Sequence, residues 1–145
     1  MHEDFKFKDV TGRIIGACMQ VHKILGNGFQ EVIYQRALEI ELPLFNLDYK
    51  REFVMQIFYR GIHIGTRRVD FLVHDTISLE IKAVIKLEDV HLAQAINYLE
   101  AYNLEIGLLI NFGSKSLEIK RLINSKYIPR NPEIWLILFQ TKEEE

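Results

Sequence analysis

Residues 11–25, TGRIIGACMQVHKIL, carry apolar groups at Ile14, Cys18, Val21 and Leu25. That spacing lines one face of a helix. Asp9 or Thr11 is placed to cap its start, and Gly26 to supply the left-handed residue after its end. The turn GNG follows, and residues 30–42 form a second helical segment stopped by Pro43. The period then changes. Phe53, Met55, Ile57 and Tyr59 alternate with Val54, Gln56 and Phe58, which predicts a strand. RGIHIG has turn chemistry at Gly61, RRVDFLV at 67–73 reads as a second strand, and TISLEIKAVI at 76–85 as a third after a short turn around His74-Asp75. Three strands with short links make an antiparallel meander. At 88–102, Leu92, Ala95, Ile96, Leu99 and Tyr102 share a helix face, and EIGLLINF at 105–112 is an apolar run suited to a central strand covered on both faces. Strand, helix, strand implies a right-handed crossover. SLEIKRLI at 116–123 is a further amphipathic segment. IWLILF at 134–139 reads as a last strand closing the core or, alternatively, as a surface for association.

The chain of 145 residues fits one domain spanning 1–145, with a core over about 9–124 and a C-terminal extension over 125–145. Apolar residues make up 48%, ample for one core, and eighteen basic against twenty acidic residues leave a net charge of −2. This balance argues against an avid, non-specific nucleic-acid binder while leaving room for a local basic groove. Cys18 is the only cysteine, so no disulfide forms within the chain, and it reads as a small core residue. The N-terminal MHEDFKFKDV has no signal-type apolar stretch, and IWLILF is too short to cross a bilayer, so a cytoplasmic location without membrane contact is expected.

Three charges sit where neighbours want burial. In the third strand, Leu79, Ile81, Ala83 and Ile85 point to one face and Glu80, Lys82, Val84 and Lys86 to the other. The bland reading is a strand with a solvated outer face. Asp70 makes it less comfortable, because Val69, Phe71, Leu72 and Val73 surround it and Asp is depleted from strands. A buried carboxylate costs several kcal/mol unless it is paired or binds a metal. If the second and third strands are neighbours, Asp70 and Glu80 converge, and a proton or a cation must relieve their repulsion. A hard ion such as Mg²⁺ favours few carboxylates plus water. Lys82, on the face of Glu80, would lie beside it and offset charge developing on a phosphate.

Asp70 followed by Glu80-Ile81-Lys82 resembles the D-x(9)-E-x-K pattern of the PD-(D/E)xK nuclease superfamily. GFQEVIY at 28–34 resembles the G-x-x-E-x-x-Y motif of the GxxExxY proteins, a branch of that superfamily, as do VHKILGNG upstream and HLAQAINYLEAYNLEIGLLINFG downstream. The likeness runs from about Asp9 to Ile123. It implies an α/β fold with a restriction-endonuclease-like core: a mixed sheet of a three-strand antiparallel meander, a crossover helix and a further strand, flanked by helices. It also implies that Asp70 and Glu80 ligate Mg²⁺ or Mn²⁺, that Lys82 assists the attacking water, that Glu31 on the first core helix completes the site, and that Gln94 matches a helix Gln common at such sites. Well-known members often place Pro before the motif Asp, where this chain has Val69.

Tyr34 shares a helix face with Glu31 and reads as a positioning group, although by residues alone Glu31 would be an ordinary exposed Glu. His91, Gln94 and Tyr98 form a polar stripe beside an apolar helix face; its bland reading is a solvated edge, and His91 and Tyr98 are accessory candidates. His22, near the first helix end, is a weaker accessory candidate, since a histidine there more often caps or packs. His63 and His74 read as turn or surface residues. No zinc-type His/Cys spacing or phosphate loop occurs. Lys50, Arg51, Arg67, Arg68, Lys86, Lys115, Lys120 and Arg121 lie near predicted strand ends, and a subset lining the site would position a phosphate backbone. The expected activity is metal-dependent hydrolysis of phosphodiester bonds in DNA or RNA. The alternative is a non-catalytic nucleic-acid-binding or protein-interaction module that keeps the fold. With no appended recognition domain in sight, specificity would come from a homodimer or a partner protein.

Overall fold

The computed structural model describes residues 2–129, with side chains from Phe7 onward. The element order is α1 (His2–Leu25), α2 (Glu31–Leu44), β1 (Tyr49–Tyr59), β2 (Ile62–Val73), β3 (Ile77–Lys82), α3 (Asp89–Tyr102), β4 (Ile106–Asn111) and β5 (Glu118–Ile123). The strands form one sheet in the order β1-β2-β3-β4-β5. Only the β3–β4 pair is parallel, so α3 is the crossover and the sheet is mixed. The segment at 134–139 lies outside the described residues. Among the described residues no helix is long and apolar enough to cross a membrane.

Two apolar clusters cover the two faces of the sheet. On one side Ile14, Cys18 and Val21 of α1 and Tyr34, Leu38 and Leu42 of α2 pack against Leu79, Ile81, Leu108 and Ile110. On the other, Ala95, Tyr98 and Leu99 of α3 pack with Met55, Leu72 and Leu109. The central strands are therefore buried on both faces, as the apolar run of β4 predicts.

Four boundaries differ from the sequence reading. The first helix begins well before residue 11, so Thr11 is inside it rather than capping it; its Oγ1 donates back to the Phe7 carbonyl at 2.9 Å. Asp9 instead pairs with Arg13 one turn on, at 3.0 Å. Gly26 does take the left-handed conformation after α1, with φ of 75°. The second helix runs one residue past Pro43, closed by Phe45 N–H bonds to the Glu41 and Leu42 carbonyls. The first strand starts at Tyr49 rather than Phe53, because Tyr49, Lys50 and Arg51 pair with Val73, Leu72 and Phe71. The third strand ends at Lys82 rather than Ile85. There Asn111, fully buried, takes over as a clasp: its Oδ1 accepts the Val84 N–H and its Nδ2 donates to the Val84 carbonyl, each at 2.9 Å. A side chain thus replaces the next ladder step.

Candidate active site

The β2–β3 ladder pairs Val73 with Ile77, Leu72 with Ser78 and Phe71 with Leu79. One more step in that register would set Asp70 opposite Glu80. The ladder stops there, and Asp70 Oδ2 accepts the Ile81 N–H at 2.7 Å. The β1 side breaks at the same level. Partners run from Arg51↔Phe71 to Phe53↔Val69, skipping Glu52 and Asp70, and Glu52 holds a left-handed φ of 52°. The faces switch across this break. Tyr49, Phe71 and Val73 join the α1/α2 cluster, whereas Phe53, Met55, Ile57 and Val69 join the α3 cluster, although all are odd-numbered. A left-handed non-glycine residue costs about 1 kcal/mol or more, a strain often found beside functional sites. Its effect here is to twist the ribbon so that the Asp70 carboxylate lies half-buried at the crossing.

Glu80 is 8% exposed on a strand covered from both sides. Burial and then the Asp70 charge push its carboxyl up to about 9. Arg67 and Lys82 act in the opposite sense. Asp70 is also raised, by burial, while the Ile81 N–H, a hydrogen bond with Glu80, and the charges of Lys82 and Arg51 hold it down. In the metal-free protein at neutral pH the proton of the pair therefore sits on Glu80 and is shared with Asp70. Glu80 Oε1 is buried with no hydrogen-bond partner. An orphaned buried oxygen beside a second carboxylate fits a hard divalent cation, which would replace the proton and supply the missing partner.

Glu31 opens α2, and burial raises its carboxyl, with Lys82 and His91 lowering it and Asp70 raising it. The charges of Asp70, Lys82 and His91 are thus all felt at Glu31. Among the described residues no three His, Cys, Asp or Glu side chains form a ready-made metal cage. An anchor of two carboxylates is enough for Mg²⁺, which keeps several waters.

The structure brings together Glu31, Asp70, Glu80 and Lys82, with His91 at the edge. His91 Nδ1 accepts the Glu88 N–H at 2.9 Å in a capping box at the start of α3. Gln94, half-buried on α3, makes no hydrogen bond to the carboxylates. Tyr98 is buried rather than on a solvated edge, and the Arg67 guanidinium lies 3.9 Å from its ring centroid. Tyr34 is a brace: its hydroxyl donates to the Gly26 carbonyl at 2.7 Å and accepts the Phe29 N–H at 3.1 Å, and its ring stacks on Phe112 at 4.7 Å. It fixes the turn that leads into Glu31. His22 contacts the Ser114 carbonyl through Nε2 at 3.1 Å and the Phe112 ring, outside the carboxylate group.

Two of the basic residues expected near the strand ends support the site, and one supporting residue, Asn111, escaped the sequence reading. Arg51 bonds Glu39 at 2.7 Å and Gln35 at 3.0 Å while its charge acts on Asp70. Arg67 acts on Glu80 from its perch on Tyr98. Asn111 also donates to Glu118 Oε1 at 2.8 Å, and that oxygen accepts the Leu87 N–H at 3.0 Å. These bonds hold the Glu118 carboxyl low and fasten both ends of the 84–87 loop. Asn111 did carry a signal, the same one as Asp70: a polar residue inside an apolar run. Arg51 and Arg67 were already among the basic residues expected near the strand ends, but their particular partners, Glu39 and Gln35 on α2 and Tyr98 on α3, are distant in sequence.

None of the curated proteins matches the chain. Among solved structures, that of SSO0001 is similar, with a TM-score of 0.49 and 18% identity over 77% of this chain and 56% of that one. The chain thus spans little more than half the length of that protein. The family model of the PD-(D/E)XK nuclease superfamily matches residues 8–122, a span that contains the whole described sheet but its last residue and all four converging side chains. On that match, and with the sheet and flanking helices it requires in place, the chain belongs to the PD-(D/E)XK nuclease superfamily.

Proposed function

We propose that the protein is a metal-dependent nuclease hydrolysing phosphodiester bonds of nucleic acid at the β2–β3 step. The observation that carries this reading is the buried Asp70–Glu80 pair with Glu80 Oε1 unpartnered. PD-(D/E)XK nucleases generally use divalent metals. Asp70 and Glu80 would hold Mg²⁺ or Mn²⁺, with Glu31 as a further ligand or an acceptor beside them. When bound, such a cation polarises the phosphate and acidifies water.

The chain's own groups do the rest. The Lys82 ammonium, felt by all three carboxylates, orients the attacking water and offsets negative charge growing on the phosphoryl oxygens. Glu31, raised by burial, is suited to take the proton that the water loses as its oxygen bonds to phosphorus. The opposite P–O ester bond breaks in line, and the leaving oxygen takes a proton from solvent water. Gln94 would orient water or substrate from α3. Arg67 and Arg51 balance phosphate charge at the rim. Gly28, Glu31 and Tyr34 favour the GxxExxY branch. The buried, unpaired Cys18 suits a reducing cytoplasm, where we place the protein.

The test is an assay over single-stranded, double-stranded and structured DNA and RNA with Mg²⁺ or Mn²⁺. Cleavage that disappears in Asp70→Asn and Lys82→Ala is expected. If highly purified wild type cuts none of these with either metal, the non-catalytic binding module is the correct reading.

A further inference from the structure

β2 pairs with β3 only over Phe71–Val73, so the rest of β2 and its partner β1 extend past the sheet as a two-stranded ribbon. The ribbon ends in a two-residue turn, Arg60-Gly61, between the paired Tyr59 and Ile62. Both turn residues have positive φ, 50° and 80°, the form that matches the twist of the flanking strands. The tip is therefore a defined hairpin rather than a loose loop. Tyr59, Ile62 and Ile64 on it are 61%, 68% and 62% exposed. Between Phe53 and Val69 the chain has Arg60, Arg67, Arg68 and His63 but no Asp or Glu, although the protein as a whole is net acidic. Arg60 and Arg68 are both exposed, and the Arg60 guanidinium lies 5.8 Å from the Tyr59 ring centroid.

We infer that this hairpin is an arm that enters the major groove of the B-form DNA duplex being cut, with Arg60 and Arg68 on phosphates and Ile62 and Ile64 against base edges. The inference rests on the nuclease reading for the nature of the substrate, and adds its form. Charge selects the occupant. Apolar side chains alone would also suit a second copy, but the arm holds no Asp or Glu between Phe53 and Val69, and Glu52, just outside it, already contacts Arg68 at 3.8 Å. Two such arms laid together would therefore set guanidinium groups against each other with no further acidic group on the arm to meet them. A polyanion meets both features. A two-stranded ribbon fits the major groove of B-DNA, where isoleucine side chains can meet thymine methyl groups, whereas the deep, narrow major groove of an A-form RNA duplex excludes it. The reach is right as well. Eight residues of extended strand separate Ile62 from Asp70, about 26 Å. That is less than one B-DNA turn of about 34 Å, so the arm and the carboxylates address one face of a single duplex.

Fluorescence anisotropy with a labelled DNA duplex of about two helical turns, in EDTA, tests this without requiring hydrolysis. Wild type should bind it more tightly than an RNA duplex of the same length. R60E/R68E should weaken DNA binding at least tenfold and reduce the salt slope by about two. Y59S/I62S should also weaken it, with melting temperature unchanged in both variants. R60Q/R68Q provides the milder check, with a smaller loss, should the charge reversal disturb folding. No duplex binding by wild type, or identical curves and slopes for wild type and both arginine variants, would overturn the arm. So would Y59S/I62S abolishing self-association in sedimentation with duplex affinity intact, which would make the tip a contact between copies. Any of these leaves the nuclease reading standing if wild type still cleaves and Asp70→Asn does not. Arm-dependent binding without cleavage would contradict the nuclease reading and support the arm.

Discussion

The Asp70 carboxylate accepts the backbone N–H of Ile81 at 2.7 Å, taking the position that a carbonyl would hold if the β2–β3 ladder continued. One side chain thereby ends the pairing of two strands and is itself held in place by the backbone beside Glu80. The site is built at a deliberate interruption of the sheet. Its charge balance and part of the protein's stability should depend on that interruption, as should the metal affinity proposed for it.

Glu80 titrates near 9 in the fold against an ordinary value of 4.5. Between these values the folded state holds a proton that the unfolded state has released, so metal-free stability falls as pH rises through the window. Glu80→Gln keeps the shape without the titration. In EDTA it should be more stable than wild type at pH 7 by roughly 1–3 kcal/mol, with the gap widening toward pH 9. Thermal melts across that range are the measurement. Parallel stability curves for the two proteins would show that Glu80 carries no such burden.

The same proton must leave when a cation binds. Mg²⁺ or Mn²⁺ affinity should therefore rise with pH from about 6 to about 9, approaching tenfold per unit while one proton is displaced. Titrations in buffers of different ionisation enthalpy should report close to one proton released at pH 7. Binding with no proton release would mean that the pair is already fully ionised.

Asn111 holds the chain after Lys82 by two bonds to Val84 and a third to the Gly113 N–H at 3.0 Å. Asn111→Ala strands these groups in the interior and should cost about 3 kcal/mol in urea unfolding. Gly113→Ala should do comparable damage, because its Cβ would meet the Val84 backbone oxygen at 2.4 Å and nitrogen at 2.5 Å. If both variants unfold like wild type, the 84–87 loop is not fastened as described.

Tyr34→Phe keeps the stack on Phe112 and removes the hydroxyl that closes the turn before Glu31. A stability loss of about 1–2 kcal/mol is expected from the two lost bonds. If Glu31 takes part in the reaction, the turnover number should drop more than the Michaelis constant changes, since a group near the reacting atoms would be misplaced. Unchanged turnover together with the stability loss would confine Tyr34 to a structural role.

Much of this architecture is legible in the residues. The periods of 3.6 and 2 separate α1, α2, the meander, α3 and β4. Asp70 and Glu80 stand out because a carboxylate in an apolar run calls for a partner. What the sequence conceals is local and tertiary. Alternation predicts that Arg51 and Phe53 share a face, but the left-handed Glu52 between them sends Arg51 to α2 and Phe53 to the α3 cluster. No propensity forecasts a glutamate with positive φ inside a strand. Ala83 and Ile85 continue the pattern of β3, yet the strand stops because Asn111, almost thirty residues later, captures Val84. Thr11 looks like a cap until more helix is found ahead of it. Lys82 looks like the outer face of a half-solvated strand, and only the closure of α3 over the sheet turns that face inward.

A calorimetric titration of Mn²⁺ or Mg²⁺ into metal-free wild type and into Asp70→Asn, both shown to be folded, addresses the central claim most directly. A saturable binding heat in the wild type that vanishes in the variant is the result expected if the two carboxylates share one cation. Equal heats in both proteins, or none in either, would contradict it.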